Sequence, residues 1–524
     1  MAKRSQVRPK RPELTSRHFI YDEDIAAVSK AATASKPPLE VVPIAASKAK
    51  GAEPQELAML DLAMSFCGLA HLYEVGAEID RRTTSGYGRP RRNDAFVYLL
   101  IDVLASRVGS ERKTLVEIRN RIVWREIRDQ VRANWPDVRI DDRPPTRSGF
   151  LRFKRRMRFN PELVALYRDA TIDWTIAVGR TMGLMTDAND ARTTPDPANT
   201  MVSDGTWINS VYNAAPGTRG ARRVNRTTGE ITPVRSDPDS IPYHGEGTGG
   251  AGRYWIINSA RTASAHERLI YECALLPTGA DEGMFAVEQT IALERLGLDI
   301  RGLAYDMGVK GRSYERLLLD GIVPITKVPR LNGHVPTWSF GPTNAKTRAG
   351  TVQVDLWAID GALRIRVPDE EGRPGYLLLD RKKIEFRPSA VYLIAEVPDL
   401  PEAPRALIGA RVRVRLTSSP ADEAAGFLRG TYLRALAPAF AEFEALYALR
   451  NNIESVNEQL KAHLPRRRQR SVGSVLQVMN LVSHQVATNL CALIAWLRRT
   501  GGDVRGVWAK PPPDIFAGPV AEAA

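Results

Sequence analysis

The sequence predicts an α/β protein with a mixed sheet, preceded by an all-α domain and interrupted by a β-rich insertion. Apolar residues recur with the period of a helix from residue 53 to about residue 185. From about residue 199 strand and helix patterns alternate, and residues 331–440 contain almost only strand patterns. The chain has 524 residues, which is enough for several domains.

Charge is the first indication of a partner. The chain is 43% hydrophobic and 26% charged, as is typical of a soluble globular protein, and its net charge is +14. Residues 81–160 alone hold 21 Lys and Arg against nine Asp and Glu. This local excess favours a polyanionic partner, and nucleic acid before a membrane surface.

Cysteine usage and the N-terminal composition favour a cytoplasmic protein. Cys67, Cys273 and Cys491 are far apart and in no CxxC spacing, which argues against a disulfide framework and a zinc site. Residues 1–52 are basic and rich in Pro, Ala and Ser, so we expect a mostly disordered arm rather than a signal peptide.

Residues 53–190 are predicted to form a helical DNA-binding domain. Helical patterns such as "DAFVYLLIDVLASRV" and "PELVALYRDATIDW" are separated by breaks that contain Gly or Pro. One break carries "RFKRRMRF", which a solvated basic loop would explain. We favour a phosphate-contacting segment because the whole domain is basic. The predicted DNA-binding residues here are Arg152, Lys154, Arg155, Arg156 and Arg158.

Residues 191–330 predict the first part of an α/β core. Three strand patterns, "NTMVSDGTWI", "RYWIINSA" and "RLIYECALLP", come first. A helix ("EGMFAVEQTIALERLG"), a strand ("DIRGLAYD"), a helix ("SYERLLLDG") and a strand ("IVPITKV") follow. This order is typical of a mixed sheet.

Residues 331–440 predict a β-rich insertion that separates the two parts of the core. "TVQVDLWAIDGALRIRV" indicates a hairpin around Asp360-Gly361. In "RVRVRL" the arginines alternate with apolar residues, which fits either a solvated edge strand or a strand that contacts a DNA backbone. Residues 441–505 supply the second part of the core, in which the apolar run from Val475 to Leu497 predicts a buried helix rather than a membrane span. Residues 506–524 are expected to be a loose tail.

The stretch "YALRNNIESVNEQLK" predicts a helix with a narrow polar stripe. At about 100° per residue, Tyr447, Arg450, Glu454 and Lys461 fall within roughly 60° of one another. The apolar residues fall on the other side of the helix. Taken by itself, this helix is explained by an ordinary exposed Arg450–Glu454 pair. A functional site becomes the better interpretation if carboxylates elsewhere in the chain need a partner on this stripe.

Two such carboxylates end or interrupt apolar strands. Asp204 lies in the first core strand and Asp306 follows the fourth. Singly, each residue is more often a turn or cap residue. A first-strand Asp, a fourth-strand Asp and a helical Glu would meet in a ribonuclease H-like sheet. Three carboxylates at one point can hold two divalent metal ions for phosphodiester chemistry.

The motif Tyr447-x₂-Arg450-x₃-Glu454-x₆-Lys461 resembles the YREK signature of the DDE transposases of bacterial insertion sequences. "VSDGTWINS" resembles the first Asp strand of that family, and "LAYDMGVKGRSYERLLLDGIVPITK" resembles its second Asp segment. The two Asp residues are 102 positions apart and Glu454 follows Asp306 by 148 positions. The longer gap is similar to that of members with a β-rich insertion before the Glu.

The resemblance implies a catalytic and metal-binding triad of Asp204, Asp306 and Glu454, with two Mg²⁺ or Mn²⁺ ions. It also implies that Tyr447, Arg450 and Lys461 contact DNA phosphates near the cleaved end. Such an enzyme would act in the bacterial nucleoid as a homodimer or larger synaptic complex on terminal inverted repeats and target DNA. Two alternatives remain: a non-catalytic DNA-binding protein and a metal-dependent nuclease without strand transfer.

Overall fold

The structure is a computed structural model, and it describes residues 18–27, 59–83, 91–186, 193–217, 222–224, 227–243, 250–330, 333–369 and 371–509. Most of the predicted N-terminal arm and most of the predicted tail lie outside these residues. The protein is mixed α/β, as the sequence predicted.

The helices are α1 (Met59–Cys67), α2 (Ala70–Thr83), α3 (Ala95–Val108), α4 (Glu111–Glu117), α5 (Arg121–Asn134), α6 (Arg147–Phe159), α7 (Pro161–Thr181), α8 (Glu282–Arg295), α9 (Arg312–Leu319), α10 (Pro420–Ala424), α11 (Ala441–Tyr447), α12 (Arg450–Ala462) and α13 (Ser474–Thr500).

The strands are β1 (Phe19–Ile20), β2 (Thr200–Asn209), β3 (Arg222–Val224), β4 (Ile231–Pro233), β5 (Ile241–Pro242), β6 (Ala251–Arg261), β7 (Arg268–Leu275), β8 (Gly302–Ala304), β9 (Val323–Ile325), β10 (Thr337–Thr347), β11 (Gly350–Ile359), β12 (Ala362–Pro368), β13 (Pro374–Leu378), β14 (Asp380–Arg387), β15 (Ala390–Glu396) and β16 (Arg411–Arg415).

The chain forms two compact units that cut across the predicted segments. The first unit comprises Met1–Ala49, Met185–Ser203 and Ala280–Asn451, and the second comprises Lys50–Leu184, Asp204–Gly279 and Asn452–Ala524. The change of unit near residue 185 lies close to the predicted end of the helical domain at residue 190. Strand β2 begins in the first unit and continues into the second.

The second unit is built around α13. This helix packs against α3, α7 and strand β7. It is long and apolar enough to cross a membrane by length and composition, but 78% of its most apolar window is buried inside the protein. The prediction of a buried core helix is therefore confirmed.

Polar side chains inside this core fix the register of α13 against β7. Asn489 accepts a hydrogen bond from the backbone N–H of Ile270 at 2.8 Å and donates to the Ile270 carbonyl at 2.9 Å. Its amide also donates to Thr175 of α7. Buried amides are stable only when they are paired, so these bonds allow one alignment of the helix on the strand. In the same unit β6 pairs with β5 and β7 in antiparallel fashion and lies beside β2.

The first unit contains the remaining core strands. The first residues of β2 pair in parallel with β8, and β8 pairs in parallel with β9. Helix α8 precedes β8 and helix α9 precedes β9, because parallel neighbours need a crossover connection. The predicted succession of three long strands, helix, strand, helix and strand is present, with short strands β3 to β5 inserted after β2.

The predicted β-rich insertion supplies seven strands of an eight-stranded sheet with the order β1-β13-β12-β11-β10-β16-β15-β14, and β1 supplies the eighth. The predicted hairpin joins β11 and β12, and its turn residues Asp360 and Gly361 have φ values of 48° and 86°. These left-handed conformations are those of a type I′ turn, which suits Gly at the second position.

Strand β16 differs from the expectation of an edge strand. It lies between β10 and β15, and its arginines alternate with buried valines as predicted. Arg411 and Arg413 pair with Glu396 and Glu385 at 2.6 and 3.1 Å. Arg415 donates to backbone carbonyls. All three arginines therefore have hydrogen-bonding partners in or beside the sheet, and the alternative of a strand that contacts DNA stays a prediction.

Part of the predicted disordered arm is ordered. Phe19 and Ile20 pair with β13, and Ile20 is fully buried with Ile359 and Tyr376. The buried Arg364 donates to the His18 carbonyl at 3.2 Å. The short apolar stretch in "HFIYDEDI" supplies an edge strand despite its basic surroundings. At the other end of the chain, Trp508 is 5% exposed and packs in the core of the second unit.

Candidate active site

Asp204 lies in the middle of β2, where buried residues give way to partly exposed ones. Met201, Val202 and Ser203 are buried, whereas Asp204 is half-buried. Its carboxylate Oδ2 accepts a hydrogen bond from Asn457 Nδ2 at 2.9 Å. The first predicted carboxylate therefore lies beside helix α12, within the second unit.

Helix α12 carries the second predicted carboxylate of this unit. Its apolar residues Ile453, Val456 and Leu460 are buried, and Glu454 is exposed. Glu454 precedes Asn457 by three residues and Lys461 follows Asn457 by four, so the three side chains lie on one face. This is the face from which Asn457 reaches Asp204.

A cation accompanies these carboxylates. Burial lowers the pKa of Lys461, and nearby Arg467 lowers it further. The negative charges of Glu458 and Asp204 act in the opposite direction and favour the protonated form. Lys461 is therefore close enough to Asp204 to feel its charge.

Asn457 leaves one oxygen atom without a hydrogen bond. The side chain is 5% exposed, and no described residue donates to its Oδ1. A buried acceptor without a donor costs free energy, and a cation can satisfy it instead. Oxygen atoms of carboxylates and amides are the donors that Mg²⁺ and Mn²⁺ prefer, so this donor set fits either ion. Within the described ranges no three His, Cys, Asp or Glu side chains form a group that could hold a metal ion.

Asp306 lies in the first unit, two residues after β8. Its Oδ1 accepts a hydrogen bond from the backbone N–H of Gly308 at 2.6 Å, which shapes the turn that leaves the strand. Asp306 is half-buried, and its charge adds to burial in raising the pKa of Glu282. A negative potential therefore surrounds the end of β8.

The predicted stripe is interrupted by a turn. Helix α11 ends at Tyr447 and α12 begins at Arg450. Between them the N–H of Leu449 bonds to the carbonyl of Leu446, and the N–H of Asn451 bonds to that of Ala448. These i→i+3 bonds are of the 3₁₀ type, which advances about 120° per residue instead of 100°. The 3.6-residue period therefore does not run unbroken from Tyr447 to Arg450.

The ring of Tyr447 has contacts of its own within the first unit. Phe443 stacks on it at 5.1 Å between centroids, and the ammonium of Lys327 lies 5.0 Å from its centroid. This cation–π contact places a positive charge next to Tyr447, the first residue of the motif.

The predicted DNA-binding segment is helical, and one of its cations is buried. Arg152, Arg155 and Arg158 are exposed on α6, and Arg156 is half-buried beside Asp80. The prediction of DNA contact does not fit Lys154, whose side chain is 4% exposed. Its ammonium binds Asp102, Glu111, Ser471 and Asn480. The helical period turns this one position inward, which the assumption of a loop could not show.

Sequence reasoning missed Asn457 and Lys327. Asn457 falls next to Glu454 and Lys461 on the helical wheel, so its position was available, but it is not part of the Tyr-Arg-Glu-Lys motif from which the candidates were taken. Lys327 follows β9 and is far from Tyr447 in sequence, so no local pattern could associate the two residues.

Comparison of the chain with known protein families, with characterised proteins and with solved structures finds no match in any of the three.

Proposed function

We propose that the protein is a DDE-type transposase that cleaves DNA at the ends of an element and joins the freed 3′-hydroxyl to target DNA. The observation that carries the proposal is the hydrogen bond between Asp204 and Asn457. It sets a first-strand carboxylate beside the helix that bears Glu454 and Lys461, as the YREK resemblance implies.

The arrangement of the strands supports a ribonuclease H-like catalytic fold as part of this proposal. Strand β2 lies beside β6, which pairs with β7 in antiparallel fashion, whereas its first residues run parallel to β8. Asp204 lies on β2 and Asp306 follows β8. In the ribonuclease H-like sheet that the resemblance implies, these two carboxylates would lie at one edge.

In this proposal Asp204, Asp306 and Glu454 would bind two Mg²⁺ or Mn²⁺ ions. The ions would activate the attacking hydroxyl and stabilise the leaving oxygen of the phosphodiester. Asn457 would hold the Asp204 carboxylate in one orientation. Lys461, together with Arg450 and Tyr447, would hold the phosphates of the strand next to the scissile bond.

The binding partners follow from the charge distribution. The exposed arginines of α6 would contact the backbone of the terminal inverted repeats through Arg152, Arg155 and Arg158. Half-buried Arg156 would support this surface. Two ends must be cut in concert, so we propose a homodimer or larger synaptic complex that acts on the bacterial nucleoid.

The direct test is cleavage of a labelled duplex made from the DNA that flanks this gene. The parent protein should cut it in Mg²⁺ and not in EDTA. Asp204→Asn and Glu454→Gln should each lower cleavage by at least 10³-fold, roughly the cost of removing a group that acts only in the transition state. Binding of the same duplex in EDTA should be unchanged.

The products and the binding data separate the alternatives. Cuts without joined products would favour a metal-dependent nuclease. Binding without any cut would favour a non-catalytic DNA-binding protein. If both variants cut as well as the parent, the proposed triad is wrong.

A further inference from the structure

A basic cavity in the second unit lies apart from the residues assigned above. It has a volume of about 350 Å³ and is lined by α4, α6 and the segment that follows α12. The positively charged residues of its wall are Arg112, Arg147, Arg466, Arg468 and Arg470.

The carboxylates near this cavity already pair with other cations. Glu111 is the one acidic residue in the described lining, and it binds the ammonium of Lys154. Asp102 faces the buried Arg470 at 3.7 Å. Arg112, Arg147 and Arg466 have no acidic partner among the residues that the structure describes. Positive charge therefore remains unmatched at the mouth of the cavity.

A buried amide also faces the cavity without a partner. Gln469 is 2% exposed, and neither its Nε2 nor its Oε1 has a hydrogen bond to any described residue. Each unpaired buried polar atom is costly, so the arrangement favours a ligand that can pair with them.

The segment that carries these residues has an unusual backbone. Arg466 and Arg467 have φ values of 53° and 58°, in the left-handed region that non-glycine residues seldom adopt. The side chain of Arg467 forms an ion pair with Glu458 at 2.7 Å. Strain that surrounding contacts maintain is typical of binding sites. Arg466 and Arg468 of this segment line the cavity.

The cavity has a defined position relative to Asp204. Gln469 donates its backbone N–H to the carbonyl of Asn209 at 2.8 Å, and Arg468 forms a parallel bridge with the same residue. Asn209 ends the strand that carries Asp204. Five residues of extended strand span roughly 17 Å. This distance equals about five nucleotide steps of a stacked strand.

We propose that this cavity binds a phosphodiester group of the nucleic-acid strand that occupies the active site, about five nucleotides from the cleaved bond. One guanidinium group can donate two parallel hydrogen bonds to the oxygens of a phosphate, and the Gln469 amide can donate to the same phosphate. The exposed apolar residue of the wall, Leu151, suits the adjoining sugar. The inference deepens the proposed function and rests on it for the position of the strand.

The test is DNA binding by the full chain in EDTA, which separates binding from cleavage. The double variant Arg112→Ala/Arg466→Ala removes two exposed cations of the cavity. Its matched control, Arg125→Ala/Arg168→Ala, removes two cations of the same unit that pair with Glu126 and Asp169. We expect the cavity variant to bind a labelled duplex at least tenfold more weakly. The slope of log K against log salt should fall by about one, the value for one lost phosphate contact.

A single neutral methylphosphonate, moved along the strand, locates the contact. The parent should lose affinity at a position about five nucleotides from the cut. The cavity variant should show no further loss there. If the cavity variant behaves like its control, the proposal is wrong. If inorganic pyrophosphate raises the melting temperature of the parent while DNA binding is the same in both variants, the cavity binds a small anion instead of a strand.

These outcomes are distinct from a failure of the proposed function. A parent protein that binds through the cavity but never cuts in Mg²⁺ would contradict the transposase proposal and leave the phosphate site intact.

Discussion

The smallest informative feature of the molecule is the contact between Asp204 and Asn457. The two residues are 253 positions apart, and their 2.9 Å hydrogen bond lies within one compact unit. A charge-assisted bond of this kind fixes the orientation of a carboxylate more strongly than a neutral bond would. Groups that orient a metal-binding carboxylate in this way are positioning residues.

We expect Asn457→Ala to raise the Mg²⁺ concentration needed for half-maximal cleavage by about 10- to 100-fold, the usual cost of removing an orienting partner. A purely structural role would lower activity without moving that concentration. The matched control is Gln459→Ala, an exposed position on the same helix, which should leave the Mg²⁺ dependence unchanged. The measurement is a Mg²⁺ titration of cleavage at fixed DNA concentration.

Lys154 is expected to stabilise the fold. Burial alone would raise the pKa of Asp102, but Lys154, Arg470 and the Ser483 hydroxyl together hold it below its usual value. Removing one member of a buried charge network leaves the others uncompensated. Lys154→Met should therefore lower the free energy of unfolding by about 3–5 kcal/mol.

Urea denaturation measures this effect, with Arg152→Met as the control on the exposed face of α6. The control should change stability by about 0.5 kcal/mol or less. An equally stable Lys154→Met protein would contradict the buried assignment.

Glu272 predicts how stability depends on pH. Burial on β7 raises the pKa of Glu272 to about 7, while Arg168 opposes the shift. The folded protein therefore favours the protonated form of Glu272. The stability that this protonated form contributes is complete below the unfolded pKa of about 4.5 and is lost as pH rises through 7. Glu272→Gln should be more stable than the parent at pH 8, by roughly 3 kcal/mol.

Thermal unfolding of both proteins at pH 5 and pH 8 tests this prediction. The difference between them should be small at pH 5 and grow at pH 8. A difference that is the same at both pH values would show that Glu272 does not titrate in this interval.

At the scale of elements, α6 combines two functions on opposite faces. Phe150, Phe153 and Met157 pack in the core with Lys154, whereas Arg152, Arg155 and Arg158 face outward. The sequence pattern shows five cations in a row of seven residues. Only the helical period separates the outward-facing cations from the buried Lys154.

The triple variant Arg152→Ala/Arg155→Ala/Arg158→Ala should bind duplex DNA more weakly, with a salt slope lower by about two to three. Its urea midpoint should stay close to that of the parent, because exposed substitutions seldom change stability. Fluorescence anisotropy at several salt concentrations measures both the affinity and the slope. An unchanged slope would exclude this face from the DNA interface.

The turn between α11 and α12 is a feature of the elements that the sequence pattern does not predict. The 3.6-residue period runs through "YALRNNIESVNEQLK" without a Gly or Pro, so nothing in it predicts a break. The structure forms two i→i+3 hydrogen bonds there, so that one helix ends at Tyr447 and the next begins at Arg450. Packing on each side determines this detail, and a helical wheel contains no information about packing.

For the whole molecule, the sequence predicted the helices and strands better than it predicted which strands pair with one another. The order of strands and helices from β2 to β9, the hairpin at Asp360-Gly361 and the buried C-terminal helix follow from local periods and turn residues, and all three are present. An edge position was one of the two interpretations of strand β16, but the strand lies inside the sheet, because strand order depends on pairing between distant segments. Likewise Ile20 joins a sheet more than 300 residues away.

The candidate site shows the same division. Glu454 and Lys461 could be selected from one helix, and Asp204 from one strand. Their association through Asn457 is a contact between distant parts of the chain, which a single sequence cannot supply. Charge predicted a polyanionic partner, but the cavity beside Arg466 depends on a left-handed backbone that no composition predicts.

The central claim is that Asp204 and Glu454 bind the same metal ions. Iron-mediated cleavage of the protein tests it most directly: Fe²⁺ replaces Mg²⁺, and ascorbate with peroxide then breaks the backbone next to the bound ion. We predict breaks beside residues 204 and 454 that excess Mg²⁺ suppresses, and that disappear together in Asp204→Asn or in Glu454→Gln. Breaks at one segment that persist when the other carboxylate is removed would contradict a shared site.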